Sequence, residues 1–527
     1  MTKSIRSPRF TETMVLIVTI LGTGMVYLDQ TAITVALPRM QIALKADVGG
    51  LQWLIDIYIL TLGVLLLIGG ALGDRYGRVR VFIIGTVIFV GSSIICGAAN
   101  SLGLLIAARA AQGVGGALLV PGGLAIVNAT VAPERRGRTL GLWATFSPLI
   151  TLSAPLLGGW LVDNVSWRAV FFLNVPLGVV ALIVAARSVP ESRDEHAPER
   201  LDWPGVAALM AGLGGVLFGL IEGPHLGWNH PLVAVTLIAG ALGLAAFVVV
   251  EWRSPAPLLP LGLFRNRTFT GINAMTTIHY LALSSIFFFL TLNFQQAQKY
   301  PAFIAGLAQM PISLTAVLLA RPVGRLTDRI GPAPLMTAGV LLTCGAFLLF
   351  TWPGVGAMYW TTFLPAALLY GVGLGLTVVP LTAVALGSLP ARYSGIASGF
   401  NHAVTRVGQM IAVAVFGAVM ASAFRAGLIA RTADLPLGAS ARTQLLAEAR
   451  NLGATRPPSS LAPDLARATE AAIRLAFVDG FRQIMILSAV LALVGLVIML
   501  VLVRYRPHSA DDSRVAAKPE TTTASAD

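Results

Sequence analysis

Three ionisable residues, Asp29, Asp56 and Arg109, interrupt stretches otherwise long and apolar enough to cross a bilayer. A charged side chain at that depth costs roughly 3 kcal/mol on insertion scales, so each requires a chemical or structural reason. The chemistry open to them is proton binding and recognition of a charged ligand. Burial disfavours an ionised carboxyl and a neighbouring guanidinium favours it, so the two influences compete wherever such groups meet. Asp29 lies nine residues before Pro38, the end of its apolar run, and Arg109 lies eight residues into a run that starts near 102. At 1.5 Å per residue they stand about 13 and 12 Å below the same face of the membrane. Opposite charges at one depth can pair; the alternative to a transport role is a structural ion pair tying two helices. Asp56 is four residues past Gln52, about 6 Å deep, and the alternative for it is an acid at the rim touching water.

A second set of candidates is polar without being charged throughout. His279 and Tyr280 lie midway along the apolar run 268–295, with Asn293, Gln295 and Gln296 near its end. They could bind a substrate or be ordinary packing. His402 and Arg406 are four residues apart in NHAVTRVGQ and share a helix face. Imidazole titrates near pH 6.5, which makes His402 a possible proton carrier or simply a satisfied polar residue.

These residues sit in a chain of 527 residues that is 56% hydrophobic and only 12% charged. An ordinary soluble domain carries about 25% charged residues. So few charges cannot cover a water-soluble surface, and the reading is an integral membrane protein. The net charge of +13 comes as small groups of arginines at the ends of apolar runs, a pattern that fits lipid headgroups rather than nucleic acid. Cys96 and Cys344 both fall inside apolar runs, so neither a disulfide framework nor a metal site is indicated. The glycine-rich segments GVGGALLVPGG (113–123) and GVGLGL (371–376) lack the lysine–serine/threonine ending of a phosphate loop. They read as close helix contacts. No ATPase, enzyme or cofactor is expected, and energy must come from an ion gradient or from the substrate's own.

Charge-poor stretches of spanning length number fourteen: 14–38, 52–72, 80–99, 102–129, 139–161, 168–186, 203–221, 231–250, 268–295, 303–322, 334–350, 358–387, 394–421 and 481–503. Arginines cluster after the even-numbered spans, which places that side in the cytoplasm together with both termini. The stretch from about 423 to 479 reads as a long outer loop, whose Ala/Leu/Arg content suggests amphipathic helices lying on the outer surface. The polar tail 509–527 reads as disordered.

Residues 69–80 read GGALGDRYGRVR, and about 250 residues later 324–331 read GRLTDRIG. The first turn follows span 2 and the second follows span 10, so both lie on one side. Their spacing implies a duplicated six-span unit with two spans inserted between the halves. The expected divisions are 1–200 for the first six spans, 201–253 for the inserted pair and 254–508 for the last six. Gly77 and Gly331 permit tight reversals. Asp74 and Asp328 can engage a nearby arginine or a helix N-terminus and hold a gate, with Gly70, Arg75, Arg78 and Arg329 as its neighbours. A plain loop capped by charges is the alternative.

Parallel repeats of this kind resemble the major facilitator superfamily. GGALGDRYGRVR is similar to that superfamily's loop after its second helix. YLDQTAITVALP (27–38), LQWLIDIYIL (51–60), RAAQGVGGALLVPGGLAIV (109–127), SWRAVFFLNVPLG (166–178), LDWPG (201–205) and PLLPLGLFRNRTF (257–269) resemble, in order, the fourteen-helix drug:proton antiporters, the EmrB/QacA-like group. The resemblance implies an all-helical transporter with two six-helix bundles around a cavity, exchanging amphipathic drugs for protons by alternating access. It implies proton coupling at Asp29, Asp56 and Arg109 and substrate contact at Asp29 and Asp56; with helix 9 as the second-half counterpart of helix 1, His279 and Tyr280 fall on the cavity, where together with Gln295 they could bind substrate. It places Arg406 at a usual basic position. On helix 5 it implies gating at Pro155, Gly158 and Gly159, with Ala154 and Ile150 standing where the antiporter motif has glycines. The expected setting is a bacterial inner membrane, with a monomeric chain among lipids. Rival readings are a proton-linked carrier of one endogenous metabolite, and a non-transporting receptor or lipid-handling scaffold.

Overall fold

In hydrocarbon no water can satisfy backbone groups, so a chain this apolar has to pair them within each segment, and helices result. The computed structural model describes residues 8–194, 201–255, 257–389 and 394–503, and among these it contains no strand. The tail 509–527 lies outside the described residues. Several helices begin where the sequence offers a side-chain cap: Asp47, Ser101, Asp202 and Asn266 accept from the backbone N–H groups of Gly50, Leu104, Gly205 and Phe269. Each satisfies a donor that the first turn leaves open.

The long helices are α1 (Pro8–Leu44), α2 (Val48–Tyr76), α3 (Arg78–Ala98), α4 (Leu102–Thr130), α5 (Pro133–Asn164) and α6 (Asn174–Ser188). Then come α7 (Trp203–Leu226), α8 (Pro231–Arg253), α9 (Arg267–Leu292), α10 (Ala302–Ile330), α11 (Pro332–Phe350), α12 (Tyr359–Gly387), α13 (Ser394–Arg431) and α14 (Pro463–Leu502). Thirteen helical segments among the described residues are long and apolar enough to span a membrane. The remaining long helix, α5, has 32 residues, of which several side chains are not described. Helix α1 packs on α4, α5 and α6, while α2 and α3 pack on α4. In the second group α9 packs on α13 and α14, and α12 on α10 and α11. The groups meet where α2 crosses α13 and where α5 crosses α10.

The inserted helices α7 and α8 pack chiefly on each other, and α7 leans on α2 and α13. Trp53, which alone would read as an interfacial anchor, instead fixes this docking: its indole N–H donates to Glu222 at 2.9 Å, and its ring lies 6.0 Å from that of Phe218. The expected outer loop 423–479 is largely helix. Helix α13 runs on to Arg431 and α14 starts at Pro463, so the connection shrinks to 432–462 and carries a short helix, Ala439–Glu448. An apolar window misses such extensions because they are amphipathic: Thr469, Ala472, Ile473, Ala476 and Gly480 bury one face of α14 at helical spacing.

Candidate functional site

A cavity of about 370 Å³ lies between the two groups, within the usual range for a drug-sized ligand, roughly 300–1,000 Å³. Helices α1, α2, α5, α9, α10, α12 and α13 supply its wall. Apolar lining comes from Ile55, Ile59, Leu152, Phe287, Phe288 and Met310, and Pro155 of α5 contributes too. Hydroxyl and amide lining comes from Tyr27, Gln30, Thr31, Tyr280, Ser284 and Gln309, among others. His402 and Arg406 complete it. The Arg406 guanidinium donates from Nη1 to Gln30 Oε1 at 2.7 Å and to Gln409 Oε1 at 3.0 Å, and its Cζ lies 5.6 Å from the Tyr27 ring.

Asp29 and Arg109 do meet, in an ion pair that is 0 and 1% exposed and does not line the cavity. Two amides complete the carboxylate: Gln112 Nε2 and Asn174 Nδ2 each donate to Asp29 Oδ1 at 2.9 Å. Both amides also donate to Ser93 Oγ, at 2.7 and 2.9 Å. Arg109 in turn donates to Gln112 Oε1 at 2.8 Å and to the Leu54 carbonyl at 3.1 Å, and its Cζ stands 4.1 Å from the Tyr58 ring centroid. Five helices, α1, α2, α3, α4 and α6, are joined by this one network. A buried pair with its remaining hydrogen-bond positions filled is stable, whereas removal of one partner strands a charge. Gln112, Asn174 and Ser93 are members that reading by charge alone passes over. Asn174 was within sight, as the polar residue of FFLNVP, and Gln112 is one turn from Arg109.

Asp56 is wholly buried and neither carboxyl oxygen has a hydrogen-bond partner among the described residues. His279 is equally buried and both its ring nitrogens are unpartnered. Neither lines the cavity. Tyr280, next along α9, does, with its ring edge-on to His279. Gln295 is engaged elsewhere: its Nε2 donates to the Val35 carbonyl at 2.9 Å and so ties α9 to α1.

The Gln295–Val35 bond belongs to a seal across the face opposite the arginine-rich turns. Gln52 Nε2 donates to the Val413 carbonyl at 2.5 Å, and Gln41 Nε2 donates to the Asn451 carbonyl at 3.2 Å. The Asp163 carboxylate at the end of α5 accepts from the Ala302 and Phe303 N–H groups that open α10, at 3.2 and 2.8 Å. Gly158 backs onto Ala32 of α1, and Gly159 backs onto Ala302 and Phe303. The lining, by contrast, extends towards the arginine-rich face as far as Thr382 and Asn401. The cavity is thus shut at one end.

The two repeated turns share a backbone device. Gly77 has φ 107° and Gly331 φ 82°, a region that costs other residues about 1–2 kcal/mol. Asp74 does not reach across to the other group; it pairs with Arg78 of its own turn at 2.7 Å. Arg75 lies over the neighbouring Tyr76 ring, and Gly70 packs beside Pro121. Asp328 and Arg329 are exposed, and Asp328 has no ion-pair partner among the described residues. Among the described residues, the first turn carries a buttress that the second lacks. Glu191 accepts from Val79 N and Arg80 N at 3.0 Å each, and the Asp194 N–H donates to the Asp74 carbonyl.

Two helix groups, a repeated turn and a cavity sealed at one end define a carrier, and residues 19–413 match the family model for the Major Facilitator Superfamily. The chain belongs to that superfamily. Among relatives of this transporter, "Multidrug resistance protein Stp" of Mycobacterium tuberculosis (strain CDC 1551 / Oshkosh) is 34% identical over 415 residues, covering 78% of this chain and 76% of that one. The "Tetracenomycin C resistance and export protein" of Streptomyces glaucescens is 29% identical over 488 residues, covering 91% and 89%. "Puromycin resistance protein pur8" of Streptomyces alboniger is 33% identical, covering 78% and 82%. A bacterial homolog of the human lysosomal transporter Spinster, crystallised inward-facing and unoccupied, superposes with a TM-score of 0.65 at 16% identity, covering 95% of this chain and 100% of that one. The peptide transporter POT in complex with sulfate superposes at 0.62 with 17% identity, covering 93% and 94%. These two share the fold of this MFS transporter. It is a multi-pass membrane protein.

Proposed function

We propose that this protein exports amphipathic antibiotics or drugs from the cytoplasm in exchange for protons, by alternating access. The observation that carries the reading is the cavity between the two helix groups, closed at one face by Asp163, Gln52, Gln295 and Gln41 and extending towards the other. Such a body can rock about its middle and expose one mouth at a time. The resistance and export proteins among its relatives support the outward direction.

In this reading the arginine-rich face is cytoplasmic, in the plasma membrane of a bacterium, and a single chain suffices among its lipids. Asp29 with Arg109, and Asp56, carry the coupling proton. Asp56 is the simpler carrier, because a proton on its carboxyl removes a buried charge for which the fold provides no donor. Substrate enters against Tyr280 and Arg406, with His402 at the inner mouth. The Gly77 and Gly331 turns, with Asp74 and Asp328, steady the cytoplasmic gate when it closes.

Everted vesicles containing the protein test this. On adding an effluxed member of a broad antibiotic panel, an imposed proton gradient should partly collapse, and the Asp56→Asn protein should show no such collapse. A gradient that ignores a broad panel of antibiotics would overturn the reading.

A further inference from the structure

The charge of the cavity says what kind of molecule it holds. Its lining contains the Arg406 guanidinium and, among the described residues, not one Asp or Glu. The sequence extends this beyond the side chains described: 140–158 and 394–413, the stretches of α5 and α13 that pass the cavity, contain no acid at all. Within the apolar spans of the lining helices the acids are Asp29 and Asp56. Both are 0% exposed and face away from the cavity, the first consumed by Arg109, Gln112 and Asn174.

Arg406 itself has no carboxylate partner among the described residues. Its two acceptors, the Gln30 and Gln409 side-chain oxygens, are neutral and both fall to Nη1, so Nε and Nη2 are left without an acceptor among the described residues. The residue is only 8% exposed. A guanidinium so buried and so incompletely satisfied is a standing demand for an anion, and its planar fork matches a carboxylate or sulfonate through two parallel hydrogen bonds. A cationic ligand would meet the opposite: like charge, no counter-ion, and a low-dielectric wall. The rest of the wall suits an aromatic or aliphatic body, with Phe287, Phe288, Ile55, Ile59 and Met310 on one side and Tyr27 beside the guanidinium.

We infer that the substrates of this transporter are amphipathic organic anions, whose acidic group docks on Arg406 while the apolar body lies against the Phe287–Phe288 wall. The inference rests on the export reading only in taking this cavity as the substrate site. It departs from the expectation that the substrate is recognised by Asp29 and Asp56.

Binding, not transport, tests it. Purified full-length protein in detergent is dialysed to equilibrium against three radiolabelled probes of one shape: naphthalene-2-carboxylate, its methyl ester and 2-naphthylmethylammonium. The carboxylate should bind roughly tenfold or more tightly than either of the others, as a charge-assisted bidentate contact implies. Arg406→Gln should bring the carboxylate-to-ester ratio close to one, and Arg406→Lys should leave an intermediate ratio, since a point charge replaces the fork. Ammonium binding at least as tight as carboxylate in the unaltered protein would overturn the inference, as would an undiminished carboxylate preference in Arg406→Gln. Should that variant fail to fold, the order of the three probes on the unaltered protein decides alone. Carboxylate preference without proton-gradient collapse would sink the export reading and leave this one standing; collapse without the preference would do the reverse.

Discussion

The Asp163 carboxylate of α5 accepts the Phe303 N–H of α10 at 2.8 Å, so a charge on one half of the transporter caps a helix of the other. The Ala302 N–H points to the same carboxylate at 3.2 Å. Open N–H groups and the helix dipole both favour an anion there. A nearby arginine and a helix N-terminus were the two partners open to Asp74; it takes the arginine, Arg78, while Asp163 at the opposite face takes a helix N-terminus.

Asp163→Ala should therefore loosen the closed face without unfolding the protein. Loss of such a cap is worth about 1–2 kcal/mol, enough to shift the balance of the two cavity orientations roughly five- to thirtyfold. Labelling a cysteine placed at Thr34 with an impermeant maleimide added to intact cells would report the shift as faster modification. Unchanged labelling would show that the cap does not govern closure.

Gly159→Ala should act on the same closure by steric means. A Cβ there would sit 2.6 Å from Phe303 Cα and 2.8 Å from the Ala302 carbonyl oxygen. Backbone atoms cannot yield as a flexible side chain does, and overpacking costs about 1–3 kcal/mol. Transport should fall severalfold while the amount of folded protein in the membrane stays the same. Gly345→Ala, where the nearest atom is a leucine methyl at 3.5 Å, serves as the tolerant control.

Arg109→Ala should be among the most damaging single changes to stability. It leaves the Asp29 carboxylate fully buried with two amide donors and no cation, a loss of roughly 3–5 kcal/mol. Thermal unfolding of the detergent-purified protein should show a large drop, partly restored in the Asp29→Asn/Arg109→Gln double variant. Asp29→Asn alone strands the buried Arg109 cation in its turn, so it too should lower the melting temperature; the protein that does reach the membrane should lack proton-coupled efflux, and unchanged efflux per folded molecule would refute its coupling role.

Asp56→Asn should behave oppositely in stability. Among the described residues no donor or cation meets the Asp56 carboxyl, so nothing is broken by replacing it, and the melting temperature should stay level or rise. Proton-driven exchange should be lost while binding in the cavity persists.

Gly77→Ala should harm folding more than Gly331→Ala, although both glycines occupy positive φ. Beyond the shared strain of about 1–2 kcal/mol, a Cβ at Gly77 would press within 2.8 Å of the Glu191 carboxyl carbon, whereas nothing lies within 4 Å of one at Gly331. Equal losses in thermal stability would show that the Glu191 buttress contributes nothing.

Much of the fold was legible in the chain. Spanning runs, the duplicated turn and the inserted pair follow from hydropathy and glycine placement, because the bilayer imposes one length on every span and forbids unpaired backbone. The shared depth of Asp29 and Arg109 was legible too, since rise per residue converts sequence position into depth. The Ala/Leu/Arg content of 423–479 pointed to amphipathic helices, but not to their being continuations of α13 and α14, because an average over a window of residues erases a one-sided pattern.

Depth was what the sequence by itself determined; direction around each helix axis was decided only by the tertiary structure. Asp29, Asp56, His279 and Arg406 are all polar residues in apolar runs. Packing turns the first three into the protein and the last towards the cavity. In a membrane helix both the lipid-facing and the inward-facing sides are apolar, so no contrast along the chain reveals which way a side chain points. The meeting of α1 through α4 and α6 around Asp29, and of α5 with α10 at Asp163, settles that question by contact.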